Sequence, residues 1–429
     1  MDKTPFARDL KASVEHEEFD RFTGPHYDGA SVANLAPTIA RLLGVSHNGR
    51  ELKREFIVDD AEGSDHVILF VMDALGYNTL VLGVDVANKL NALFPEGVAK
   101  RGYITSVFPS TTVTALTSMF TGLLPSEHGM LGYNMFLKEI GSIVNMITLS
   151  PVNEEERGRI VALGFSHERI LPHAKLTERL AQSGVGSRVL IRYALKGSGL
   201  STLLYKGAEV IPYLGQSDMF LHLLRILREG KSGLTIVYWD NIDAAAHHYG
   251  PQSEETMAEL SLFINSMEGF LKSAKRFRTK NVMLMLTSDH GQAQTRDRLS
   301  FRVEDLRWIK ESLVMPPTGE GRCAYMYLRR GVRDFEQKFR KRLGKHFHLL
   351  DSSEAISMGL FGGRRLPRDY IGRIGDYIAV AKGAAKLVFA YNLIERSEPP
   401  FVRYGSHGGL TLHEMLVPFL NARLDKLLK

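Results

Sequence analysis

The chain has 429 residues, of which 44% are hydrophobic and 24% charged; these values are ordinary for a globular protein, and the length allows one large domain or several smaller ones. A net charge of +6 favours anionic substrates but is too small on this length to indicate a nucleic-acid-binding protein. The single cysteine, Cys323, excludes an intrachain disulfide. With no apolar N-terminal segment and no run of roughly 20 apolar residues, we expect a cytoplasmic protein without a membrane span.

The predicted elements alternate between strands and helices. An apolar run at residues 67–72 ends at Asp73, and similar runs at 234–239 and 282–286 also lead into Asp or His residues. Continuous apolar runs of this kind are typical of strands buried on both faces, as in parallel sheets. Residues 253–274 have apolar positions at helical spacing and predict a helix with one buried face. The pattern predicts an α/β sheet, in which ligands bind beyond the carboxyl ends of the strands.

Three segments interrupt this alternation. Residues 1–63 are expected to form an N-terminal extension with a helix near 33–43. Residues 151–232 carry few side chains suited to chemistry, and residues 300–400 are expected to contain short strands and a basic helix at 333–342. We interpret both segments as insertions or a cap over the sheet. On this interpretation residues 1–429 form a single catalytic domain.

Candidate metal ligands follow the predicted strands or lie in nearby loops. Asp243 and His247 are four residues apart, so both side chains can face one ion from a helical turn. Each candidate has a structural alternative, such as helix capping, a buried ion pair or a surface loop. Three carboxylates and three imidazoles together are what two closely spaced divalent ions require, with zinc, manganese or iron all accepted by such ligands. The set is Asp73, Asp243, His247, Asp289, His290 and His407.

A hydroxyl nucleophile is predicted at Thr112, where residues 108–122 change from a turn to a helix. Free backbone N–H groups at a helix N-terminus stabilise a phosphate, and a nearby divalent ion lowers the pKa of a hydroxyl. The alternative is a helix cap, which Ser110 or Thr111 can provide equally well. A hydroxyl beside two ions suggests phosphoryl or sulfuryl transfer.

These residues resemble the alkaline phosphatase superfamily, and most closely its nucleotide pyrophosphatase/phosphodiesterase branch. The resemblance covers about residues 66–420 and rests on VMDALG at 71–76, FPSTT at 108–112, TGLLPSEHG at 121–129, YWDNID at 238–243, His247 with YGP at 249–251, SDHG at 288–291 and HGG at 407–409, followed by Glu414, Val417 and Pro418. It implies a mostly parallel central sheet flanked by helices on both faces, with cap-like insertions. It also implies two divalent ions, preferably Zn²⁺, and Thr112 as a nucleophile that forms a phosphothreonine intermediate.

The resemblance further divides the metal ligands between the two ions. Asp243, His247 and His407 would hold one ion, and Asp73, Asp289 and His290 the other. The branch places a phosphate-binding Asn at a position that falls by spacing on Tyr133, and Asn134 is our candidate for that role. Val113 stands where the branch has a phenylalanine that packs on a nucleobase, so the sequence does not predict a base-stacking platform.

The function expected from these features is a two-metal phosphodiesterase or nucleotide pyrophosphatase acting on a small phosphoester. One alternative keeps the site and changes the substrate, giving a phosphomonoesterase, a phosphonate hydrolase or a sulfatase. Another alternative is a metal-binding interaction module, since the domain also resembles PglZ-type proteins of phage defence. The sequence leaves the oligomeric state open.

Overall fold

The computed structural model describes residues 22–277, 281–391 and 403–428. Its strands are β1 (His66–Met72), β2 (Lys100–Thr105), β3 (Asn134–Leu137), β4 (Ser142–Asn145), β5 (Ser150–Pro151), β6 (Ser187–Arg192), β7 (Glu209–Tyr213), β8 (Gly233–Trp239), β9 (Val282–Thr287), β10 (Ala293–Gln294), β11 (Ser300–Arg302), β12 (Thr318–Glu320), β13 (Cys323–Met326), β14 (Phe347–Asp351), β15 (Tyr377–Ala381), β16 (Lys386–Val388), β17 (Gly405–Ser406) and β18 (Leu416–Arg423).

The α-helices within these ranges are mostly short. They are α1 (Leu35–Leu42), α2 (Tyr77–Leu82), α3 (Val84–Leu93), α4 (Thr112–Thr121), α5 (Pro125–His128), α6 (Arg159–Ala162), α7 (His167–Ile170), α8 (Leu176–Gln182), α9 (Gly199–Leu204), α10 (Gln216–Glu229), α11 (Asn241–Tyr249), α12 (Glu254–Ala274), α13 (Arg307–Ser312), α14 (Phe335–Leu343), α15 (Ser352–Ser357), α16 (Arg368–Ile371), α17 (Leu412–Met415) and α18 (Leu424–Leu427). In the described ranges, no helix combines the length and apolar character needed to span a membrane.

The central sheet has the strand order β2-β18-β9-β1-β8-β6-β7. Strand β1 pairs in parallel with β8 and β9, and β6 pairs in parallel with β8 and β7. Strand β18 runs antiparallel between β2 and β9. Every residue of β1, β8 and β9 is buried, as the continuous apolar runs predict. The predicted α/β fold with a mostly parallel sheet is therefore confirmed.

Helices cover both faces of this sheet. Along β1, Val67, Leu69 and Val71 belong to a core cluster that also contains residues of α1 and α4. Ile68, Phe70 and Met72 point the other way into a second cluster, with residues of α10 and α12. This alternation follows from the two-residue period of a strand. Because both faces are buried, the carboxyl edge of the sheet is left as the place where polar side chains can gather.

A second sheet packs against the first core cluster. Its strand order is β14-β15-β13-β12-β3-β4-β5, and its pairs are antiparallel. Cys323 and Tyr325 on β13 contribute to the core shared with the central sheet. Ala324 and Met326 on the same strand point to the opposite face, into a third cluster with residues of α14. Residues 300–400 thus supply most of a layer that lies against the central sheet.

One expected insertion and the expected N-terminal extension are more integrated into the fold than the sequence predicts. Residues 151–232, interpreted as an insertion or cap, contribute β6 and β7 to the central sheet. Strand β7 lies at the edge and is mostly half-buried, and β6 beside it has only three consecutive apolar residues, so both lack the long apolar runs that identified β1, β8 and β9. In the N-terminal segment, Val32, Leu35 and Ile39 are buried in the first core cluster, and the expected helix spans Leu35–Leu42. Residues 1–21 lie outside the described ranges, and the single-domain assignment stays a prediction.

Candidate active site

Three predicted ligands lie where β1 and β9 end. These strands are paired from His66 opposite Val282 to Val71 opposite Thr287. Asp73 therefore leaves the sheet at the same edge as Asp289 and His290. All three side chains are buried, and one candidate ligand atom from each lies within 4.8 Å of the others. We call Asp73, Asp289 and His290 the inner cluster.

The other three predicted ligands form a second group beside it. Asp243 and His247 lie on α11, which follows β8, and the Asp243 Oδ1–His247 Nε2 distance is 3.3 Å. His407 follows β17, and its Nε2 is 4.0 Å from Asp243 Oδ1. Candidate ligand atoms from these three residues also lie within 4.8 Å of one another. We call Asp243, His247 and His407 the outer cluster. The His407 ring stacks on that of His290 with 4.0 Å between centroids, so the two clusters are contiguous.

Backbone groups hold two of the inner side chains. Asp289 Oδ1 accepts hydrogen bonds from the backbone N–H of His290 at 3.0 Å and of Ala74 at 3.3 Å. His290 Nδ1 lies 3.1 Å from the Gly291 carbonyl oxygen. A proton donated to that carbonyl leaves Nε2 with a free electron pair, the form that binds a metal ion. Asp73 is held by a side chain, the Tyr238 hydroxyl, which donates to its Oδ2.

The outer side chains rely more on partners from other segments. Gln292 Nε2 donates to Asp243 Oδ1 at 2.6 Å, and Glu320 Oε2 lies 3.0 Å from His407 Nδ1. His247 Nδ1 lies 2.8 Å from the Gly405 carbonyl oxygen. Gly405 has to be a glycine, because a Cβ there would collide with the Ala246 carbonyl oxygen and the Gln292 side chain.

Sequence reasoning missed both Gln292 and Glu320. Gln292 lies two residues after His290, so a search of the residues around the SDHG motif would have included it. Glu320 is far from every predicted ligand in the sequence and carries no motif of its own. Its approach to His407 depends on how the second sheet packs.

The electrostatics of the two clusters differ. Burial raises the pKa of Asp73, and the nearby charges of Asp289 and Asp243 raise it further. Burial lowers the pKa of His290, and it lowers that of His247 to about 4 although Asp243 opposes the shift. Burial also disfavours a charged His407, but Glu320, together with the charges of Asp243 and Asp289, outweighs burial and raises the pKa of His407 to about 9.

The inner cluster has oxygen atoms suited to a cation. Asp73 Oδ1 and Asp289 Oδ2 are buried and have no hydrogen-bond partner. Buried carboxylate oxygens without a donor are unfavourable unless a positive charge compensates them. Together with the free Nε2 of His290, these oxygens match the mixed oxygen and nitrogen ligands of zinc and similar divalent ions. The residues present therefore fit a metal ion.

Thr112 is the first residue of α4, and its Oγ1 lies 3.0 Å from His290 Nε2. The neighbouring hydroxyls are arranged differently. Ser110 donates to the Gly409 carbonyl oxygen at 2.7 Å. Thr111 occupies the N-cap position but makes no capping hydrogen bond, and its Oγ1 is buried without a partner. Of the three hydroxyls, Thr112 is the one in hydrogen-bond contact with the inner cluster.

Asn134 lies in the second sheet, opposite Gly319 and Asn145. Gly319 immediately precedes Glu320, whose side chain reaches His407. Side chains alternate along a strand and paired residues share a face, so this register puts Asn134 on the opposite face from Glu320. The Asn134 Oδ1 atom is buried without a hydrogen-bond partner. The register therefore does not favour the predicted contact between Asn134 and a bound phosphate.

Two groups of carboxylates and imidazoles at the carboxyl ends of parallel strands, with a hydroxyl beside them, define a two-metal type of centre.

The family model of type I phosphodiesterase / nucleotide pyrophosphatase matches residues 67–398. Ectonucleotide pyrophosphatase/phosphodiesterase family member 3 from Mus musculus is 22% identical over 241 residues, covering 56% of this chain and 26% of that protein.

Solved structures with the same fold include two from different organisms. Murine ectonucleotide pyrophosphatase/phosphodiesterase 5 gives a TM-score of 0.60 at 17% identity, covering 83% of this chain and 87% of that chain. Phosphonoacetate hydrolase from Sinorhizobium meliloti gives a TM-score of 0.59 at 17% identity, covering 90% of this chain and 97% of that chain. At this level of identity, the matches show a shared fold.

The chain belongs to the type I phosphodiesterase / nucleotide pyrophosphatase family. This confirms the resemblance that the sequence motifs indicate. The match covers 26% of the length of the curated relative, so this chain spans about a quarter of that protein. His407 lies beyond the matched residues 67–398, so its assignment to the outer cluster rests on the motif at 407–409 and on the geometry.

Proposed function

We propose that this chain hydrolyses phosphoesters with two divalent ions, as a phosphodiesterase or nucleotide pyrophosphatase, and that Thr112 is its nucleophile. One observation carries the proposal: Thr112 Oγ1 lies 3.0 Å from His290 Nε2, at the first residue of a buried helix and beside two groups of metal-ligand side chains. A nucleophile, an anion-binding helix end and two metal sites are then present in one place.

Relatives with solved structures support the choice of substrate. Murine ectonucleotide pyrophosphatase/phosphodiesterase 5 has been solved as an inactive threonine-to-alanine variant in complex with AMP. Phosphonoacetate hydrolase has been solved in complex with phosphonoformate. Both ligands present a tetrahedral phosphorus bonded to oxygen. A phosphate or phosphonate group is accordingly the substrate feature that we assign to this site.

The inner cluster would hold one ion and the outer cluster the other. We propose zinc for both, because each cluster combines carboxylate oxygen with imidazole nitrogen. Bound divalent ions polarise phosphoryl oxygens and lower the pKa of a nearby hydroxyl. Manganese or iron in place of zinc also fits such ligands. A cytoplasmic location stays a prediction.

The chain itself positions the nucleophile and stabilises charge. The first-turn N–H groups and the dipole of α4 favour negative charge on the Thr112 oxygen and on a phosphoryl group next to it. Attack by Oγ1 on phosphorus forms a phosphothreonine and releases the leaving alcohol, which takes up a proton as Thr112 loses one. Water then hydrolyses the phosphothreonine and restores the hydroxyl. The net reaction consumes one water.

Phosphonate hydrolysis is the second candidate. The specific observation in its favour is the match to phosphonoacetate hydrolase, which extends over 97% of that chain. Comparing an aryl phosphodiester, an aryl phosphomonoester, an aryl sulfate and a phosphonate as substrates of the zinc-loaded protein separates these reactions. A two-ion protein that hydrolyses none of them would instead support the interaction-module alternative.

Thr112→Ala tests the nucleophile. We expect the rate on the best substrate to fall by at least about 1,000-fold, because neither of the neighbouring hydroxyls, Ser110 and Thr111, makes a hydrogen bond to the inner cluster in place of Thr112. Metal content should stay at two ions, since the six proposed ligands are intact. Thr111→Ala is the matched control, because its buried hydroxyl has no partner in the structure. Equal activity of Thr112→Ala and wild type would disprove the assignment.

A further inference from the structure

An acidic side chain outside the six predicted ligands reaches the outer cluster from the second sheet. Glu320 ends β12, and its side chain is 12% exposed. Its Oε2 lies 3.0 Å from Nδ1 of His407, while the other ring nitrogen, Nε2, faces Asp243 at 4.0 Å. The His407 imidazole therefore lies between the Glu320 carboxylate, which is not a proposed ligand, and Asp243, which is a proposed ligand of the outer cluster.

We propose that Glu320 is a positioning residue that fixes the tautomer and orientation of His407 and thereby sets the affinity of the outer cluster for its metal ion. The inference rests on the metal assignment in the proposed function. A histidine that binds an ion through Nε2 carries its proton on Nδ1, and a carboxylate at Nδ1 holds that proton and makes Nε2 a stronger donor.

The three imidazoles of the site differ in their partners. His247 and His290 each place Nδ1 against a backbone carbonyl oxygen, that of Gly405 and Gly291 respectively. His407 places Nδ1 against a charged carboxylate. The two atoms are at hydrogen-bond distance, but the geometry falls short of a directed hydrogen bond, and Glu320 Oε1 is also buried without a partner.

The fold holds Glu320 firmly in this place. Arg322, two residues on and fully buried, forms two bonds with the Glu414 carboxylate, at 2.7 and 2.9 Å. Glu414 also accepts the backbone N–H of Gly409 at 2.7 Å. The hairpin that carries Glu320 is thus tied to the loop that carries His407 by a second, independent contact.

Gly408 follows His407 and lies against the Glu320 carboxylate. Its φ of +112° is a conformation that residues with a side chain rarely adopt. A Cβ at this position would lie 3.4 Å from Glu320 Oε2, against the carboxylate itself. The backbone conformation after His407 therefore favours glycine, and a larger residue there would bring its Cβ into contact with the Glu320 carboxylate.

Glu320→Gln tests the proposal, because it keeps the size of the side chain and removes its charge. The protein is stripped with a chelator, and zinc is titrated back in competition with a chelating dye. We expect affinity at one of the two sites to fall by about 10- to 100-fold while the other is unchanged. Cobalt in place of zinc should show an altered absorption spectrum for that same site. Glu320→Asp keeps the negative charge on a shorter side chain, so its zinc affinity should lie between that of wild type and that of Glu320→Gln.

Glu304→Gln is the matched control, because Glu304 is a half-buried carboxylate of residues 300–400 that accepts a backbone hydrogen bond from Ala390 at 3.0 Å. It should bind two ions like wild type. Wild-type affinity and an unchanged cobalt spectrum in Glu320→Gln would overturn the proposal, and so would equal weakening at both sites. A wild-type protein that binds two ions but hydrolyses no ester would disprove the proposed function, while the titrations would still test Glu320.

Discussion

The inner and outer clusters contain similar side chains but are supported in different ways. The inner residues follow two paired central strands, are fully enclosed, and include two side chains fixed by backbone groups. The outer residues lie on a helix and a loop, and two of them depend on Gln292 and Glu320. Asp243 and His247 are also only half-buried. The comparison indicates that the sheet itself builds the inner cluster, whereas the outer one depends on contacts between separate segments.

The largest effect is expected from breaking the inner cluster. Asp289→Asn should remove its ion and lower hydrolysis by at least about 1,000-fold, because the buried cluster then loses a negative charge that would compensate the ion. Metal analysis and turnover are the measurements. Asp240→Asn is the control, since Asp240 pairs with Arg192 at 2.7 Å and belongs to neither cluster. An Asp289→Asn protein with two ions and normal turnover would refute the inner assignment.

A smaller and reversible effect is expected in the outer cluster. His247→Gln should lower turnover by about 100-fold, and excess zinc should restore part of it, because a half-buried site admits water as a replacement ligand. Turnover measured against zinc concentration checks this. His248→Gln, at the exposed neighbouring position of α11, is the control. If zinc rescued Asp289→Asn as well as His247→Gln, the contrast between the clusters would be lost.

The smallest effect is expected in the pH dependence of folding stability, measured on protein from which a chelator has removed the metal ions. His407 of the outer cluster and His290 of the inner cluster should affect it in opposite pH ranges. Because the folded pKa of His407 is raised from 6.5 to about 9, its stabilising contribution is complete below pH 6.5 and is lost as pH rises through about 9. The folded pKa of His290 is lowered from 6.5, so its contribution is present above that pH and is lost as pH falls.

Melting temperatures between about pH 5 and pH 10 test this contrast. Compared with wild type, His407→Gln should flatten the alkaline side of the profile and His290→Gln the acidic side. Identical changes in both variants would show that the two imidazoles do not differ in the way the structure indicates.

The sequence predicts the inner cluster best because its residues follow strands buried on both faces. Such strands give unbroken apolar runs, and parallel pairing brings their carboxyl ends to one edge. The pairing of Asp243 with His247 is equally local, a consequence of helical spacing. Thr112 needed more than a local pattern, since three adjacent hydroxyls fit the same turn. The family resemblance selected Thr112, and in the structure it is the one of the three in contact with the inner cluster.

The remaining features depend on contacts between distant segments. Strands β6 and β7 were missed because β7 is a half-buried edge strand and β6 has only three consecutive apolar residues, at 189–191. Asn134 was chosen by spacing, which does not reveal which face of a strand a side chain occupies. Glu320 approaches His407 only because a hairpin of the second sheet packs against the loop at 405–409, and no local pattern predicts that contact.

The buried Arg322–Glu414 ion pair links the outer cluster to the packing of the two sheets. Together with Glu320 and His407, it joins the second sheet to the loop that leads into β18 of the central sheet. An ion held by His407 therefore stabilises the docking of one sheet on the other as well as the site itself, by thermodynamic linkage. The proposed active site would then also contribute to the packing of the two sheets against each other.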